Sequence, residues 1–155
     1  MKHHLSDVGS WMTSPALTIR PEATLFEAYN TMYENDVRRL PVVDSDGTLI
    51  GIVTLSDIQQ ASPIIIGDDD DTPRRLMASE QTVEEIMTPD PVTVVIDDTV
   101  RDAAERMLEY EVSGLPVIKE DRVIGIITES DIFRLVVESW VTINHETVMT
   151  IHQTG

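Results

Sequence analysis

The sequence predicts a mixed α/β (α+β) fold. Two tandem copies of one strand–helix–strand–strand–helix unit are expected to pack with pseudo-two-fold symmetry. Three observations lead to this prediction. Hydrophobic residues make up 41% of the 155 residues, which is enough for a packed core. The chain repeats itself at a nearly constant offset. Each copy contains one segment of helical apolar spacing followed by two short β-branched runs.

The internal repeat begins where Met12 aligns with Met87, an offset of 75 positions. The alignment runs without a gap to the Leu-Pro-Val motif at 40–42 and 115–117. One residue is then lost at the turn 45–47, and residues 50–58 pair with 124–132. A unit of about 50 residues is too small to bury its own sheet face, so two units are expected to pack face to face.

Each copy predicts the same elements in the same order. An extended stretch at 17–19 or 92–96 precedes an amphipathic helix. Thr24 with Glu27, and Thr99 with Asp102, have the spacing of capping pairs at helix starts. Two β-branched runs around a short turn then predict a hairpin at 41–54 and at 117–128. A last helix follows, and apolar spacing out to Trp140 predicts a longer one in the second copy.

The repeats divide the chain into four predicted segments. Repeat 1 spans residues 8–61, a linker or exposed loop spans 62–82, repeat 2 spans 83–141, and a tail spans 142–155. Pro63, Gly67 and the acidic run Asp68–Asp71 are typical of a linker. Pro63 is also expected to end the last helix of repeat 1.

The composition excludes several classes of function. A formal net charge of −17 opposes binding to nucleic acid and to anionic membranes. No apolar run approaches the ~18 residues of a membrane helix, and the first residues lack the apolar region of a signal peptide. The chain has no cysteine, which excludes disulfides. We therefore expect a cytoplasmic protein.

The duplicated motifs resemble those of the CBS domain family, named after cystathionine β-synthase. The Met-Thr start, the Leu-Pro-Val strand and the run Gly–aliphatic–aliphatic–Thr–x–x–Asp each occur twice, and the repeats cover nearly the whole chain. The resemblance implies a paired module (a Bateman module) that binds AMP, ATP, NAD or S-adenosylmethionine in two clefts. It also implies a homodimer of modules arranged as a disc, together with an unidentified partner protein.

The Thr-x-x-Asp turns at Thr54–Asp57 and Thr128–Asp131 carry the candidate nucleotide sites. From the residues alone they are capping boxes at helix starts, and a helix start also suits phosphate. The resemblance implies that Asp57 and Asp131 hold the ribose hydroxyls. The residues implied to face phosphate are Thr54, Ser56, Thr128 and Ser130. Capping alone and capping with a ligand both remain open.

The extended stretches are the candidate binding segments for the base. The resemblance implies that Thr18 and Ile19 in the first copy, and Thr93 and Val94 in the second, line the adenine ring. The alternative is that these residues are plain sheet edge. The prolines of the Leu-Pro-Val strands, Pro41 and Pro116, complete the set of candidate ligand-binding residues.

Arg38 and Arg39 differ most between the copies, since Ser113 and Gly114 occupy their places in the second one. Guanidinium groups bind phosphate with paired hydrogen bonds. The alternative is a salt bridge to surface acids. The resemblance implies clefts built from both copies, and we expect these arginines to serve the cleft of Asp131. Two unequal sites follow from this interpretation.

No catalytic constellation is present in the sequence, so we expect no enzyme activity and no metal site or catalytic cofactor. Asp68–Asp71 could ligate a divalent cation, but an exposed acidic loop is the favoured interpretation. Three hypotheses remain. The chain is a nucleotide-sensing regulatory module, a dimerising scaffold without a ligand, or a detached regulatory domain of an enzyme such as inosine monophosphate dehydrogenase.

Overall fold

The computed structural model describes residues 6–61, 76–77 and 79–140. The predictions for Pro63, for the acidic run 68–71 and for the tail 142–155 lie outside these residues. In chain order the elements are α1 (Val8–Trp11), α2 (Leu25–Asn35), β1 (Arg39–Val43), β2 (Leu49–Thr54), α3 (Leu55–Ala61), α4 (Val83–Ile86), β3 (Thr88–Pro89), β4 (Val94–Val95), α5 (Val100–Tyr110), β5 (Gly114–Lys119) and β6 (Arg122–Thr128). A final helix, α6, covers residues 129–140.

Each repeat is built around one antiparallel hairpin, as predicted. β1 pairs with β2, and the matching pair in the second half is β5 with β6. Both hairpins carry a register shift at equivalent places, between Val42 and Val43 and between Val117 and Ile118. The two sheets have the strand orders β1-β2-β3 and β4-β5-β6. The predicted α/β class and the duplicated architecture are therefore confirmed.

The segment that begins each repeat pairs with the sheet of the other repeat. β3 pairs with β2, where Thr88 lies opposite Ile52. In the same way Thr13 bridges to Ile126 of β6; its amide donates to the Ile126 carbonyl at 2.8 Å, and the return bond is 3.0 Å. The two Met-Thr segments are thus exchanged between the sheets, and the repeats are joined in both directions.

Two glycines permit this close approach. A Cβ atom at Gly51 would lie 2.5 Å from the sulfur of Met87, and one at Gly125 would lie 2.6 Å from the sulfur of Met12. Both distances are shorter than atomic contact allows, so a larger residue would displace the exchanged strand. Glycine within a strand often marks such a close backbone approach.

Each hydrophobic core also includes a residue from the segment that begins the other repeat. One core surrounds Leu25 and Leu40 and takes in Val83 of α4. The other surrounds Leu115 and takes in Val8 of α1. Each fully buried aliphatic side chain of this kind contributes about 1.5–3 kcal/mol relative to exposure. The short helices α1 and α4 therefore help to stabilise the opposite repeat.

The long helices α2 and α5 begin at the predicted capping boxes. The Thr24 hydroxyl accepts from the Glu27 amide at 3.2 Å, while the Glu27 carboxylate accepts from the Thr24 amide at 3.0 Å. Thr99 and Asp102 repeat this exchange at 3.0 and 2.9 Å. Both helices end at a residue in the left-handed conformation. The two helices consequently occupy equivalent positions against their sheets.

Candidate functional site

A cavity of about 370 Å³ lies between the two repeats. This volume is within the range of small-molecule sites in proteins. Residues from both halves of the chain line it. The first half contributes Arg39, Ile52, Thr54 and Asp57, and the second half contributes Thr88, Asp90, Pro91, Val92, Tyr110, Glu111, Val112, Ser113 and Gly114.

The Thr54–Asp57 turn fixes a carboxylate in the cavity wall. The Thr54 amide donates to Oδ2 of Asp57 at 2.8 Å, and the Asp57 amide donates to the Thr54 hydroxyl at 3.1 Å. This is the capping box predicted at the start of α3. Within the described part of the chain, Oδ1 of Asp57 makes no hydrogen bond, so this oxygen can accept one from a ligand.

Arg39 places a positive charge in the same cavity. Its guanidinium donates to the Ser113 carbonyl at 3.1 Å and to the Ser113 hydroxyl at 2.5 Å. Gly114 makes room for this side chain, because a Cβ atom at position 114 would overlap the guanidinium. Burial lowers the pKa of Arg39. The negative charge of Glu129 opposes this shift, and the positive charge of Arg38 adds to it. An arginine nevertheless remains charged at neutral pH.

The arginines do not follow the arrangement expected from the sequence. We expected Arg38 and Arg39 to serve the cleft of Asp131. In the structure Arg39 lines the cavity of Asp57, its own repeat's aspartate, and Arg38 is exposed. The reason is local. Arg39 opens β1 opposite Thr54, so the arginine and the Thr-x-x-Asp turn lie side by side on one hairpin.

The second Thr-x-x-Asp turn has a more crowded carboxylate. Asp131 is only 3% exposed. Its Oδ2 accepts from the Thr128 amide at 2.9 Å and from the Thr128 hydroxyl at 3.2 Å. Its Oδ1 accepts from Nη1 of Arg134 at 3.3 Å. Both oxygens of this carboxylate are therefore already engaged within the chain.

Other residues predicted for the site lie elsewhere. Thr18 and Ile19 line a separate open groove of about 420 Å³ with Glu22 and Glu27, not the cavity of Asp57. Val94 is buried in the second core, while the carbonyl of Thr93 accepts from Arg106 at 3.0 Å. Ser56 and Ser130 are exposed; Pro41 and Pro116 are buried in their strands. The cavity thus brings together Arg39, Thr54 and Asp57 of the predicted set.

The sequence interpretation missed the second-repeat half of the cavity, residues 88, 90–92 and 110–114. The sequence did contain one indication. Ser113-Gly114 aligns with Arg38-Arg39, so both pairs are expected to lie at the contact between the two repeats. A second signal is the Met-Thr segment itself, because Thr88 enters the first sheet beside the cavity. Asp90, two residues after Thr88, adopts a left-handed conformation with φ 46°. Such conformations in non-glycine residues are uncommon and occur often at binding sites.

Two further properties of the described residues bear on function. None of their helices is long and apolar enough to cross a membrane. Among residues 6–61, 76–77 and 79–140, no three His, Cys, Asp or Glu side chains form a group that could hold a metal ion. Neither observation concerns the residues outside these ranges.

Comparison with known proteins identifies the repeats. The sequence model of the CBS domain matches residues 5–71 and 83–138. L-Aspartate semialdehyde sulfurtransferase of Methanocaldococcus jannaschii is 33% identical over 136 residues, which are 87% of this chain and 24% of that protein. A CBS domain-containing protein of Dictyostelium discoideum is 37% identical over 130 residues, 82% of this chain and 88% of that protein. The chain thus spans about a quarter of the length of the sulfurtransferase.

Solved structures share the same fold. The CBS domain pair of protein MJ0100, in complex with 5′-methylthioadenosine and S-adenosyl-L-methionine, superposes with a TM-score of 0.73 at 32% identity, covering 86% of this chain and 98% of that one. The structure of CBSX2 in complex with AMP gives a TM-score of 0.71 at 27% identity, with 86% and 97% coverage. Both of these similar proteins hold adenosine-containing ligands.

Proposed function

This chain belongs to the CBS domain family, and we propose that it is a regulatory module that binds an adenosine nucleotide in the cavity beside Asp57. The observation that carries the proposal is the presence of Arg39, Thr54 and Asp57 in the wall of one cavity between the repeats. Similar proteins that hold AMP, or S-adenosylmethionine and methylthioadenosine, add support. The module catalyses no reaction itself.

Asp57 is the proposed ligand of the ribose. Two neighbouring hydroxyls can donate to one carboxylate, and bonds to a charged acceptor are stronger than those between neutral groups. The turn holds Asp57 through the Thr54 amide at 2.8 Å, and this leaves Oδ1 available. A ligand without a 2′-hydroxyl would lose one of these bonds.

Arg39 is the proposed ligand of the phosphate. Its guanidinium is already oriented by Ser113, so little side-chain entropy is lost when a phosphate binds. A phosphate would also offset the cost of burying this charge. Thr54 lies next to Arg39 across the hairpin and can donate its hydroxyl to the same group.

The apolar part of the cavity is the proposed site of the adenine ring. Ile52, Val92 and Val112 line the cavity on different segments, two of them from the second repeat. Flat rings bind between such side chains through dispersion and burial of apolar surface. The sugar would then contact the first repeat and the base both repeats, so the bound nucleotide would link the two halves.

This bridging position is the proposed origin of regulation. A ligand that contacts both repeats favours one relative arrangement of them, and that arrangement changes the affinity for a partner protein. Coupling of this kind is typically worth ~1–3 kcal/mol. The proposal includes a homodimer, for which exposed apolar side chains on α6 offer a contact surface. These side chains are Phe133, Val136, Val137 and Trp140.

Isothermal titration calorimetry of the full chain with AMP, ATP, S-adenosylmethionine, methylthioadenosine and NAD tests the proposal. We expect saturable heat with at least one of these ligands. An absence of heat with all five would overturn the nucleotide proposal. It would favour the alternative of a ligand-free interaction scaffold.

A second candidate function is that of a regulatory segment of a larger enzyme. The observation that favours it is the 33% identity to a sulfurtransferase of which the chain spans 24%. Adding the purified chain to the catalytic part of such an enzyme distinguishes the two cases. A change in that enzyme's activity on addition of nucleotide would support this alternative.

A further inference from the structure

We infer that the open groove on the first repeat binds an arginine side chain of a partner protein. The groove has a volume of about 420 Å³ and is lined by the extended stretch at 18–20, by two residues before α2, and by Glu27 and Thr31 on α2. It is separate from the cavity of Asp57, so its occupant is independent of nucleotide binding.

The equivalent place in the second repeat already holds a guanidinium group. Nη1 of Arg106 on α5 donates to the Thr93 carbonyl at 3.0 Å and to Oδ2 of Asp98 at 2.7 Å. The two side chains of this ion pair are partly buried, at 37% and 21% exposed. A carboxylate and a backbone carbonyl therefore form a binding place for arginine beside this helix.

The first repeat has neither member of this ion pair. At the offset of 75 positions, Thr31 takes the place of Arg106, and Ala23 takes the place of Asp98. Both replacements are smaller than the residues of the second repeat. The space that the guanidinium fills in the second copy is thus left open in the first, and this space is the groove.

The backbone around the groove follows the same path in both repeats. The Ala23 carbonyl accepts from the Val83 amide at 2.8 Å, and the Asp98 carbonyl accepts from the Val8 amide at 2.9 Å. Among the residues that the structure describes, no hydrogen bond reaches the Thr18 carbonyl. This carbonyl is the equivalent of the one that accepts from the guanidinium in the second repeat, so it can accept from an incoming donor.

Two carboxylates give the groove the charge that a guanidinium group requires. Glu27 caps α2 with Oε2 at 3.0 Å, and its Oε1 accepts no hydrogen bond within the described part of the chain. Glu22 lies 3.6 Å from Nε of Arg20, which is longer than a hydrogen bond, and both side chains are exposed. Both acidic groups are therefore accessible to a cation from outside.

The second repeat also shows how a guanidinium at this place acts on the counterpart of Glu27. That counterpart is Asp102, whose pKa is lowered mainly by hydrogen bonds from Thr99. The charge of Arg106 lowers it further. A guanidinium in the groove would attract the Glu27 carboxylate in the same way.

The occupant is an arginine within a protein, not free arginine. Free arginine carries an α-carboxylate that Glu22 and Glu27 would repel, and an arginine inside a chain lacks this group. The net charge of −17 also favours the approach of a basic protein surface. Arginine is enriched at protein interfaces, where its planar group suits oxygen acceptors.

NMR titration of the isotope-labelled full chain with the peptide acetyl-Gly-Arg-Gly-amide tests the inference. The control peptide carries citrulline, an uncharged isostere of arginine. We expect saturable shifts of the amides of Ile19, Ala23 and Thr31 with the arginine peptide. The citrulline peptide should bind at least about threefold more weakly, the effect of losing a partly exposed ion pair.

The double variant Ala23→Asp, Thr31→Arg gives the first repeat the ion pair of the second and leaves the net charge unchanged. Its own guanidinium should fill the groove, so the response of the groove to the peptide should disappear. The loss could not then be due to a change in overall charge. Circular dichroism checks that the variant is folded.

A second variant, Glu22→Gln with Glu27→Gln, removes the acidic groups and keeps the cap of α2, because glutamine also completes a capping box. It should weaken the arginine peptide about threefold. Glu109→Gln with Glu120→Gln is the matched control, since these exposed residues do not line the groove and the change in charge is the same. This control should change the affinity less.

Equal responses to the arginine and citrulline peptides would overturn the inference. A groove response that persists in Ala23→Asp, Thr31→Arg, or an equal loss in the two glutamine variants, would do the same. Shifts at the groove that follow protein concentration and not peptide would assign it to a second copy of this chain and overturn the assignment to another protein. In each case nucleotide binding beside Asp57 would stand.

Discussion

The guanidinium of Arg39 donates a hydrogen bond of 3.1 Å to the carbonyl oxygen of Ser113, 74 positions later in the chain. This bond joins the two repeats at the wall of the cavity. It also orients the charged group before any ligand arrives, since Gly114 leaves the space that the side chain occupies. The proposed phosphate ligand of one repeat is thus held in place by the other.

Arg39→Gln is expected to weaken binding of AMP at least tenfold, a loss of ~1.4 kcal/mol, and to change binding of adenosine little. The reason is that only AMP carries the phosphate that Arg39 contacts in the proposal. Calorimetry with both ligands measures the difference. Arg38→Gln is the matched control, because Arg38 is exposed and does not line the cavity. Equal losses for AMP and adenosine would contradict the assignment.

Asp57→Asn is expected to weaken the binding of AMP at least tenfold while leaving α3 intact. The asparagine keeps an oxygen that can accept the Thr54 amide, but it loses the charged acceptor for the ribose. The test compares AMP with 2′-deoxy-AMP. Wild-type protein should prefer AMP, and the variant should bind both ligands about equally. A variant that retains the preference would place the ribose elsewhere.

Gly51→Ala is expected to destabilise the fold by ~1–3 kcal/mol through overpacking. Its Cβ atom would meet the sulfur of Met87 at 2.5 Å and the carbonyl of Thr88 at 3.0 Å. Urea unfolding measures the loss. Gly47→Ala is a useful contrast, because no atom lies within 4 Å of its Cβ position and any cost there comes from its φ of 81°. The double variant Gly51→Ala, Met87→Ala should recover part of the loss if steric overlap is the cause.

Asp102→Asn is expected to destabilise the protein at neutral pH, and this effect should diminish as the pH falls below 3.8. Hydrogen bonds from the Thr99 backbone and side chain hold the pKa of Asp102 below its ordinary value of 3.8. A carboxyl with a lowered folded-state pKa stabilises the fold above its unfolded-state pKa, and this contribution is lost as the pH falls through the folded-state value.

Urea unfolding of both proteins between pH 7 and pH 2.5 tests this dependence. The difference between wild type and Asp102→Asn should be constant above pH 5 and should shrink below pH 3.8. Asp97→Asn, at an exposed position before α5, serves as the matched surface control. A difference that stays constant to pH 2.5 would show that the cap acts without its charge.

The fold could be predicted in detail because its determinants are local and occur twice. The capping pairs Thr24–Glu27 and Thr99–Asp102 fix the starts of the long helices, and the β-branched runs fix the hairpins. The Thr54 and Asp57 capping box was also predictable, since its residues lie three positions apart. Local sequence is sufficient to predict features whose residues lie only a few positions apart in the chain.

The second-repeat half of the cavity depends on contacts that local sequence does not specify. Thr88 reaches the cavity because its segment pairs with β2, far back in the chain. The direction of Arg39 depends on Ser113 and on the empty space at Gly114. The expectation that Arg39 lies in the cleft of Asp131 came from the resemblance. The register of β1 against β2 instead places Arg39 opposite Thr54, beside Asp57.

The exchange of the Met-Thr segments has a consequence for how the molecule can be divided. A fragment that ends near residue 61 would lack β3 and Val83, which complete its sheet and its core. A fragment that starts near residue 76 would lack Val8 and the Thr13 bridge. Neither half is a self-sufficient folding unit, so cleavage between them should yield pieces that are stable only when they reassociate.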